Sequence, residues 1–374
     1  MPKATETTLE IDLNALRHNY HFLKSKLETP TKMLAVVKAN GYGSDGVIVA
    51  KELETLGCDY FAVAYSGEGE QLRDAEITTP ILVLHPLPIN FNSIIERCLE
   101  PSIYSIKMLQ AFIAFADSKS QKDYPIHLKF NTGLNRLGFT ASEITTICNL
   151  LSKTSSVKVR SLFSHLAASE DVNEKSFTEG QINQFQHISE EISKVIGYQP
   201  LLHTLNTSGV LNYSEAQYDM VRCGIGLYGF GNDIRYNKEL IPVLSLKTVI
   251  SQIHHLSKGD TVGYGRKGQV NTALKTATLP IGHADGLPRT LGQGRASFLV
   301  NGKQAPIIGN VCMDMIMVNV TNIDCEEGDE VIVFDKTFTA EALADKMNSI
   351  SYELLTALSS RIKRTISRKE IDKQ

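Results

Sequence analysis

The feature that most constrains this chain is a rhythm. Short apolar runs recur along its first two-thirds, and most are separated by a stretch with helical periodicity. MLAVVK (33–38) reads as a buried strand. VIVAKELETL (47–56) follows with apolar residues at helical spacing, and Gly57 is a natural C-terminal stop. Further strands are expected at YFAVA (60–64), ILVL (81–84), PSIY (101–104), PIHLKF (125–130), VRSLFS (159–164), LLHTL (201–205) and DMVR (219–222). Helical patterns such as SIKMLQAFIAF (105–115) and FTEGQINQFQHISEEISKVI (177–196) lie between them. Strands alternating with helices argue for parallel β–α units, and this number of units fits a closed (β/α)8 barrel better than an open doubly wound sheet.

The character changes near Pro242. From there to about residue 335 the chain shows short strand-like runs punctuated by Gly and Asp: TVISQIHHL, KTATLPIG, ASFLVNG, MIMVNV and DEVIVF. A helical pattern returns only at EALADKMNSI (341–350). The expected organisation is a barrel domain over residues 1–237 and a mainly β domain over 238–374, with the first stretch of chain open to joining the β domain.

Composition supports two such domains. The chain has 374 residues, 42% of them hydrophobic. A formal net charge of −3 gives no reason to expect nucleic acid or an anionic membrane as partner. The start, MPKATETTLE, has no apolar core of a secretory signal, and no apolar run approaches the ~18 residues of a membrane span. Six cysteines are scattered without CxxC pairs, which points to reduced thiols, no metal site and a cytoplasmic home.

In a (β/α)8 barrel the chemistry collects at the C-terminal ends of the strands. Lys38, His85, Lys129, His165, Asn206 and Arg222 all stand at such ends. Polarity resumes at any strand end, so each alone says little. A lysine and an arginine closing apolar runs are partly buried and must find partners. Burial lowers the pKa of a lysine and frees its neutral amine, the form needed for Schiff-base chemistry. Lys38 sits in AVVKANGYG, where Gly41 and Gly43 permit a tight turn and Ser44 or Asp45 is a candidate cap for the next helix. In VRCGIGLYGFG (221–231), Gly224 and Gly226 leave backbone amides free to approach a phosphate. NTSG (206–209) adds hydroxyls at the neighbouring strand end, matching the common phosphate site after strands seven and eight of these barrels.

AVVKANGYG closely resembles the pyridoxal 5′-phosphate (PLP) lysine motif of alanine racemases. HLKFNTGLNRLGF (127–139), SHLAAS (164–169), LHTLNTSG (202–209), MVRCGIGLYG (220–229), VGYG (262–265), LPIGHADGLPR (279–289), GNVCMDMIMV (309–318) and SYELLTALSSRIKR (351–364) fall in that family's order and spacing. The resemblance implies a PLP-dependent enzyme that interconverts L- and D-alanine, supplying D-alanine for peptidoglycan. It implies a homodimer whose active sites each join one subunit's barrel to the other's β domain. Lys38 then carries the cofactor as a Schiff base and is one catalytic base; Tyr264, from the partner subunit, is the base on the opposite face. Arg222 faces the pyridine nitrogen. With a pKa above ~12 it only donates, leaving that nitrogen unprotonated and the ring a modest electron sink. Arg136 reaches the phenolic oxygen, steadied by Lys129, which family members often carry as a carbamate. His165 links Tyr264 to Arg222. Tyr42, Asn206, Thr207 or Ser208, Gly224, Ile225 and Tyr352 bind the cofactor and its phosphate. Arg136, Met313 and Asp314 contact the substrate.

Some positions depart from the commonest pattern. His283 stands where a tyrosine is usual, Leu287 where an aromatic is common, and Asn310 where an arginine is frequent. Glu170 or Asp171 takes the place of an aspartate at the mouth, and Arg289 is a further gate residue. These positions bear on substrate entry and selectivity, and an imidazole at 283 is expected to make entry pH-sensitive. The alternatives are a broader-specificity racemase, a fold-related PLP decarboxylase, and a non-catalytic PLP carrier; the β domain carrying Tyr264 argues against the last.

Overall fold

The computed structural model describes residues 5–233, 235–236 and 238–367. The chain divides into two compact units. One holds residues Arg17–Gly41 and Gly46–Leu240; the other holds the chain up to Leu16, Tyr42–Asp45, and the chain from Ile241 onward.

The first strand, β1 (Thr8–Asp12), belongs to the second of these units. The next eight build the first unit: β2 (Lys32–Val36), β3 (Tyr60–Val63), β4 (Ile81–Val83), β5 (Glu100–Ile103), β6 (Tyr124–Lys129), β7 (Val157–Phe163), β8 (Leu201–His203) and β9 (Met220–Cys223). They correspond one for one to the eight apolar runs of the sequence. The sheet order is β8-β7-β6-β5-β4-β3-β2-β9, and every pairing is parallel. The β2–β9 ladder, with Lys32 opposite Met220, curls the sheet round. Two backbone bonds bridge the remaining gap between β8 and β9, from Asp219 N–H to Leu202 O at 3.1 Å and from Arg222 N–H to Leu205 O at 2.9 Å. The result is a nearly closed barrel.

Helices cover the barrel because their apolar stripes have nowhere else to go. The helix Ile106–Ser118 starts where the Ser105 hydroxyl accepts from Met108 N–H at 3.2 Å, and it buries Leu109, Phe112 and Ala116. Lys175–Ile196 buries Phe185, Ile188 and Ile192 and stops at Gly197, whose φ of 80° is the left-handed conformation that favours glycine. Leu34 and Ala35, adjacent on β2, are both fully buried, as a strand with a packed interior on one face and helices on the other requires.

The second unit is mainly β. Its strands are β1, β10 (Leu244–Val249), β11 (Gln252–Leu256), β12 (Thr261–Val262), β13 (Gly268–Gln269), β14 (Leu274–Leu279), β15 (Ser297–Val300), β16 (Lys303–Ile308), β17 (Ile316–Asn319), β18 (Glu330–Phe334) and β19 (Lys363–Ser367). Nine form one sheet in the order β11-β14-β17-β16-β15-β18-β10-β1-β19, and β12 pairs with β13. Along β10 burial alternates residue by residue, with Leu244, Leu246 and Thr248 inward. The ladder from β1 to β19 is parallel, with Thr8 opposite Lys363. All six cysteines stand free. Among the described residues no helix is long and apolar enough to cross a membrane.

Candidate active site

Lys38 lies just past the C-terminal end of β2, where the chain turns the wrong way. Ala39, Asn40, Gly41, Tyr42 and Gly43 have φ of 53°, 50°, 62°, 52° and 83°. A left-handed residue with a Cβ costs about 1–2 kcal/mol, so this turn persists only because its surroundings impose it. Gly41 N–H donates to Val37 O at 2.9 Å. The Glu68 carboxylate accepts from Ala39 N–H at 2.6 Å and from Ala64 N–H at 2.7 Å. Asn40 Oδ1 accepts from Gly46 N–H, the first amide of the next helix, at 2.9 Å. The amine-bearing residue is thus anchored on both sides.

Cations gather around it. Burial, and then the Arg136 guanidinium, hold the Lys38 amine below the usual lysine range. Lys129, at the end of β6, is 7% exposed and is pulled down to about 8 by burial and by Arg136, Arg222 and Lys38. Arg136 is presented by the loop 131–139, which is closed by Asn131 N–H to Phe139 O at 2.9 Å and Phe139 N–H to Lys129 O at 2.8 Å. A Cβ on Gly138 would fall 2.6 Å from Asn131 N, so that loop needs glycine there.

Arg222, on β9, is 4% exposed and has no carboxylate among its hydrogen-bond partners. One terminal nitrogen donates to His203 Nδ1 at 2.8 Å and to His203 O at 3.1 Å. The other donates to Ser164 O at 2.6 Å, Thr204 O at 3.0 Å and His165 Nδ1 at 3.1 Å. Burial pulls its pKa down to about 9, below the value above ~12 expected from sequence. It remains a cation near neutral pH and still only donates. Burial and Arg222 push the imidazole of His165 well below its ordinary range, so it is neutral. The Phe163 ring stacks on His203 with centroids 4.9 Å apart, and the Arg222 and Lys129 cations lie 5.4 and 5.9 Å from its centroid. The Thr204 hydroxyl is buried without a partner.

At the adjoining strand ends, Thr207 Oγ1 accepts from Gly224 N–H at 3.1 Å and from Gly226 N–H at 3.3 Å. The two glycine amides expected to meet a phosphate therefore meet a threonine hydroxyl here. Thr207 organises this glycine-rich loop; Ser208, also buried, and Ile225 lie beside it. Asn206 Oδ1 accepts from Gly209 N–H and from the Ser169 hydroxyl, both at 2.8 Å. Glu170 and Asp171 are exposed, and Asp171 is used locally, accepting from Asn173 N–H at 2.9 Å. His85 lies against Tyr65 and Tyr104, with tilted rings and centroids 5.7 Å away in each case, in an aromatic cluster at neighbouring strand ends.

The second unit carries the rest. The rings of Tyr42 and Tyr352 lie 5.9 Å apart, and burial with Tyr352 alongside raises the Tyr42 phenol. Tyr264 opens a short turn between Gly263 (φ 73°) and Gly265 (φ 66°) and is 76% exposed. Asn310 Nδ2 donates to Tyr264 O at 3.2 Å, so this departure from the family pattern braces the tyrosine turn. Met313 is 58% exposed; its carbonyl accepts from Ala284 N–H at 3.0 Å, and the Cys312 carbonyl accepts from His283 N–H at 2.9 Å. Asp314 does not stand alone. Arg361 grips Asp285 through two bonds of 2.7 and 2.9 Å and reaches Asp314 at 2.8 Å. His283 and Arg289 are exposed, whereas Leu287 is fully buried and packs as core. Sequence reasoning missed Arg361, Asp285, Glu68, Asn40 and His203. All but Asn40 serve residues distant in sequence, and only the folded chain brings them together.

The descriptions of known families fit both units. The N-terminal domain of alanine racemase matches residues 11–231, and its C-terminal domain matches residues 243–366. The chain belongs to the alanine racemase family. An alanine racemase of Halothermothrix orenii is 34% identical over 371 residues, covering 97% of each chain. The crystal structure of alanine racemase from Clostridium difficile 630 superposes with a TM-score of 0.91 at 32% identity, covering 98% of this chain and 97% of that one. The alanine racemase of Bartonella henselae, solved with covalently bound pyridoxal phosphate, gives 0.89 at 27% identity, over 97% of this chain and 100% of that one. The likeness thus extends over both the barrel and the mainly β unit, nearly the whole chain.

Proposed function

We propose that this chain is an alanine racemase that holds PLP on Lys38 and moves the α-proton of alanine with two bases, Lys38 and Tyr264 of a second copy. The single observation that carries the reading is Lys38 itself: an amine held below the usual lysine range by burial, at a barrel mouth crowded with cations, in a member of this family.

The residues present fit the cofactor. After burial, the positive charge of Arg136 holds Lys38 below the usual lysine range, and Arg136, Arg222 and Lys38 do the same for Lys129, a cation-rich mouth matched to an anionic, phosphorylated ligand. The donor set suits it too, with a buried arginine whose hydrogen bonds reach no carboxylate and a Thr204 hydroxyl without a partner. Lys38 would carry the group. Thr207 or Ser208, Asn206, Gly224, Ile225, Tyr42 and Tyr352 would serve its phosphate end, and Arg136 its phenolic oxygen and the substrate carboxylate. When bound, PLP supplies a sink for the electrons left when the α-proton departs.

The chain's own residues do the rest. Lys38 Nζ takes or returns the proton on one face, its amine held below the usual lysine range by burial and by Arg136. Tyr264 serves the opposite face; its exposure suits a side chain offered to another copy of the chain. Arg222 donates only, so a pyridine nitrogen facing it stays unprotonated, which limits side reactions. Neutral His165, with Nδ1 taken by Arg222, leaves Nε2–H for the tyrosine oxygen. A carbamate on Lys129 would give Arg136 an anionic partner. Met313 and Asp314 of the second copy would face the substrate, with His283, Glu170 and Arg289 on its way in. D-alanine so made would enter peptidoglycan.

The deciding experiment incubates the PLP-loaded protein with L-alanine in deuterated water and follows chirality and α-deuterium together. Growth of D-alanine with deuterium at the α-carbon supports the reading. Full activity of Tyr264→Phe or Lys38→Ala in both directions refutes the two-base assignment. Carbon dioxide release from a basic amino acid would mark a decarboxylase, and faster turnover of serine, lysine or arginine a broader racemase.

A further inference from the structure

Below Arg222 a chain of buried polar groups runs down the barrel interior from the mouth toward the opposite end. Arg222 meets His203 Nδ1 at 2.8 Å; His203 Nε2 meets Ser161 Oγ at 2.9 Å; Ser161 Oγ meets His127 Nδ1 at 2.6 Å; and His127 Nε2 meets Glu100 Oε2 at 2.7 Å. His203, Ser161 and His127 are each 0% exposed, and Glu100 opens β5 at the opposite end of the strands. Their chain neighbours Leu128 and Leu162 are apolar and fully buried. Burying three polar side chains is costly unless every one is paired, and here each is.

The pairing has a direction. A guanidinium only donates, so His203 Nδ1 must offer a lone pair. Neutral His203 then carries its proton on Nε2 and donates to Ser161 Oγ. Ser161 donates onward to His127 Nδ1, and His127 donates from Nε2 to the Glu100 carboxylate. Reversing the run would aim a His203 Nδ1–H at an Arg222 N–H, donor against donor. Glu100 is the acceptor that ends the run, and it matches the sense that Arg222 requires. Its other neighbours are cationic or donating: Tyr60, whose hydroxyl accepts from Arg160 Nε at 2.9 Å, Arg160 itself, and Arg73. None of them competes for the role of acceptor.

We infer that Glu100, acting through His127 and Ser161, is a positioning residue that holds His203 in the tautomer Arg222 requires and so orients the Arg222 guanidinium at the barrel mouth. The inference rests on the proposed role of Arg222 only for its effect on rate; the tautomer is a property of the chain itself. It also explains how a buried guanidinium is held without a carboxylate beside it: the acid stands at the far end of a polarised run of hydrogen bonds.

The test is nitrogen-15 NMR of the PLP-loaded protein with labelled histidine, alongside racemisation rates. The unmodified chain is expected to show His203 as the Nε2–H tautomer. Glu100→Leu is expected to mix or reverse that tautomer and to slow racemisation about tenfold or more, the rate equivalent of one buried hydrogen bond. Glu100→Gln still offers an amide oxygen to His127 and is expected to rescue both readouts relative to Glu100→Leu. Ser161→Ala cuts the run in its middle, so adding Glu100→Leu to it should produce no further loss. A His203 proton on Nδ1 in the unmodified chain, an unchanged tautomer in Glu100→Leu, or additive losses in the double variant would each overturn the inference. If Glu100→Leu does not fold, Ser161→Ala alone decides: an unchanged His203 signal and an unchanged rate refute it. Loss of racemisation with the His203 signal unmoved would count against this inference while leaving the racemase reading intact.

Discussion

Arg222 donates to Nδ1 of His165 across 3.1 Å, and that one contact settles which nitrogen of the imidazole holds its proton. A donor cannot face a donor, so neutral His165 is protonated on Nε2. His165 and His203 are both held well below the ordinary histidine range, by burial first and Arg222 second. The unfolded chain therefore binds more protons than the folded one below the unfolded histidine pKa of ~6.5. Stability is expected to fall as pH drops from that value toward the folded pKa values, and to be indifferent to these histidines above it. Urea denaturation of the cofactor-free protein across this range should show the slope, and His165→Asn should reduce it.

Lys129 acts with the same sign in an alkaline window. Its folded pKa of about 8 lies below the unfolded value of ~10.4, so between the two the unfolded state holds the extra proton. Stability is expected to rise with pH through that window. Below it, the charged amine costs the fold on the order of 1–3 kcal/mol. Lys129→Met should raise the melting temperature of the cofactor-free protein at neutral pH and flatten the alkaline slope. If a carbamate forms, carbon-13 bicarbonate should give an NMR signal from the unmodified protein that is absent in Lys129→Met.

The proposed sharing of sites between copies has an arithmetic consequence. Chains carrying Lys38→Ala and chains carrying Tyr264→Phe should each be nearly inactive alone. Mixed in equal amounts and allowed to exchange, half of the dimers pair the two variants, and each such dimer regains one intact site of two. The mixture should recover about a quarter of the unmodified activity. No recovery after verified exchange would show that each chain supplies both bases to its own site.

Two glycines with similar backbone angles should behave differently. Gly43 (φ 83°) would place a Cβ 1.9 Å from Leu355 O, whereas Gly57 (φ 78°) has nothing within 4 Å of that position. Gly57→Ala is expected to cost about 1 kcal/mol, from backbone strain alone. Gly43→Ala adds a clash with rigid backbone and should lose several times as much, with weaker PLP retention because the turn carrying Lys38 shifts. Thermal melts of the two variants side by side make the comparison.

The barrel was legible because its strands are short, largely buried runs bounded by polar stretches, so each run announced itself without reference to any other. Lys38, Lys129 and Arg222 were legible as charges closing such runs. The contacts that tune them were not. Glu68 reaches back to the amide of Ala39, Arg361 reaches across from the last part of the chain to Asp285 and Asp314, and Thr207 takes the amides of Gly224 and Gly226. None leaves a local pattern, because a hydrogen bond between distant segments imposes no periodicity on either. The left-handed run from Ala39 to Gly43 was only half visible: its glycines signalled a turn, but Ala39, Asn40 and Tyr42 carry no mark of the conformation they adopt.

The parallel pairing of β1 with β19 bears on how the molecule is made. Of the described strands, β1 leaves the ribosome first and its partner β19 last, with Thr8 opposite Lys363. The eight barrel strands are all synthesised by Cys223, so the barrel can assemble while the rest of the message is still being read. The leading strand must wait, its edge uncovered, until β10 and finally β19 arrive. Premature termination between residues 223 and 363 would therefore strand that edge, and such truncated chains should aggregate even though all their barrel strands are made.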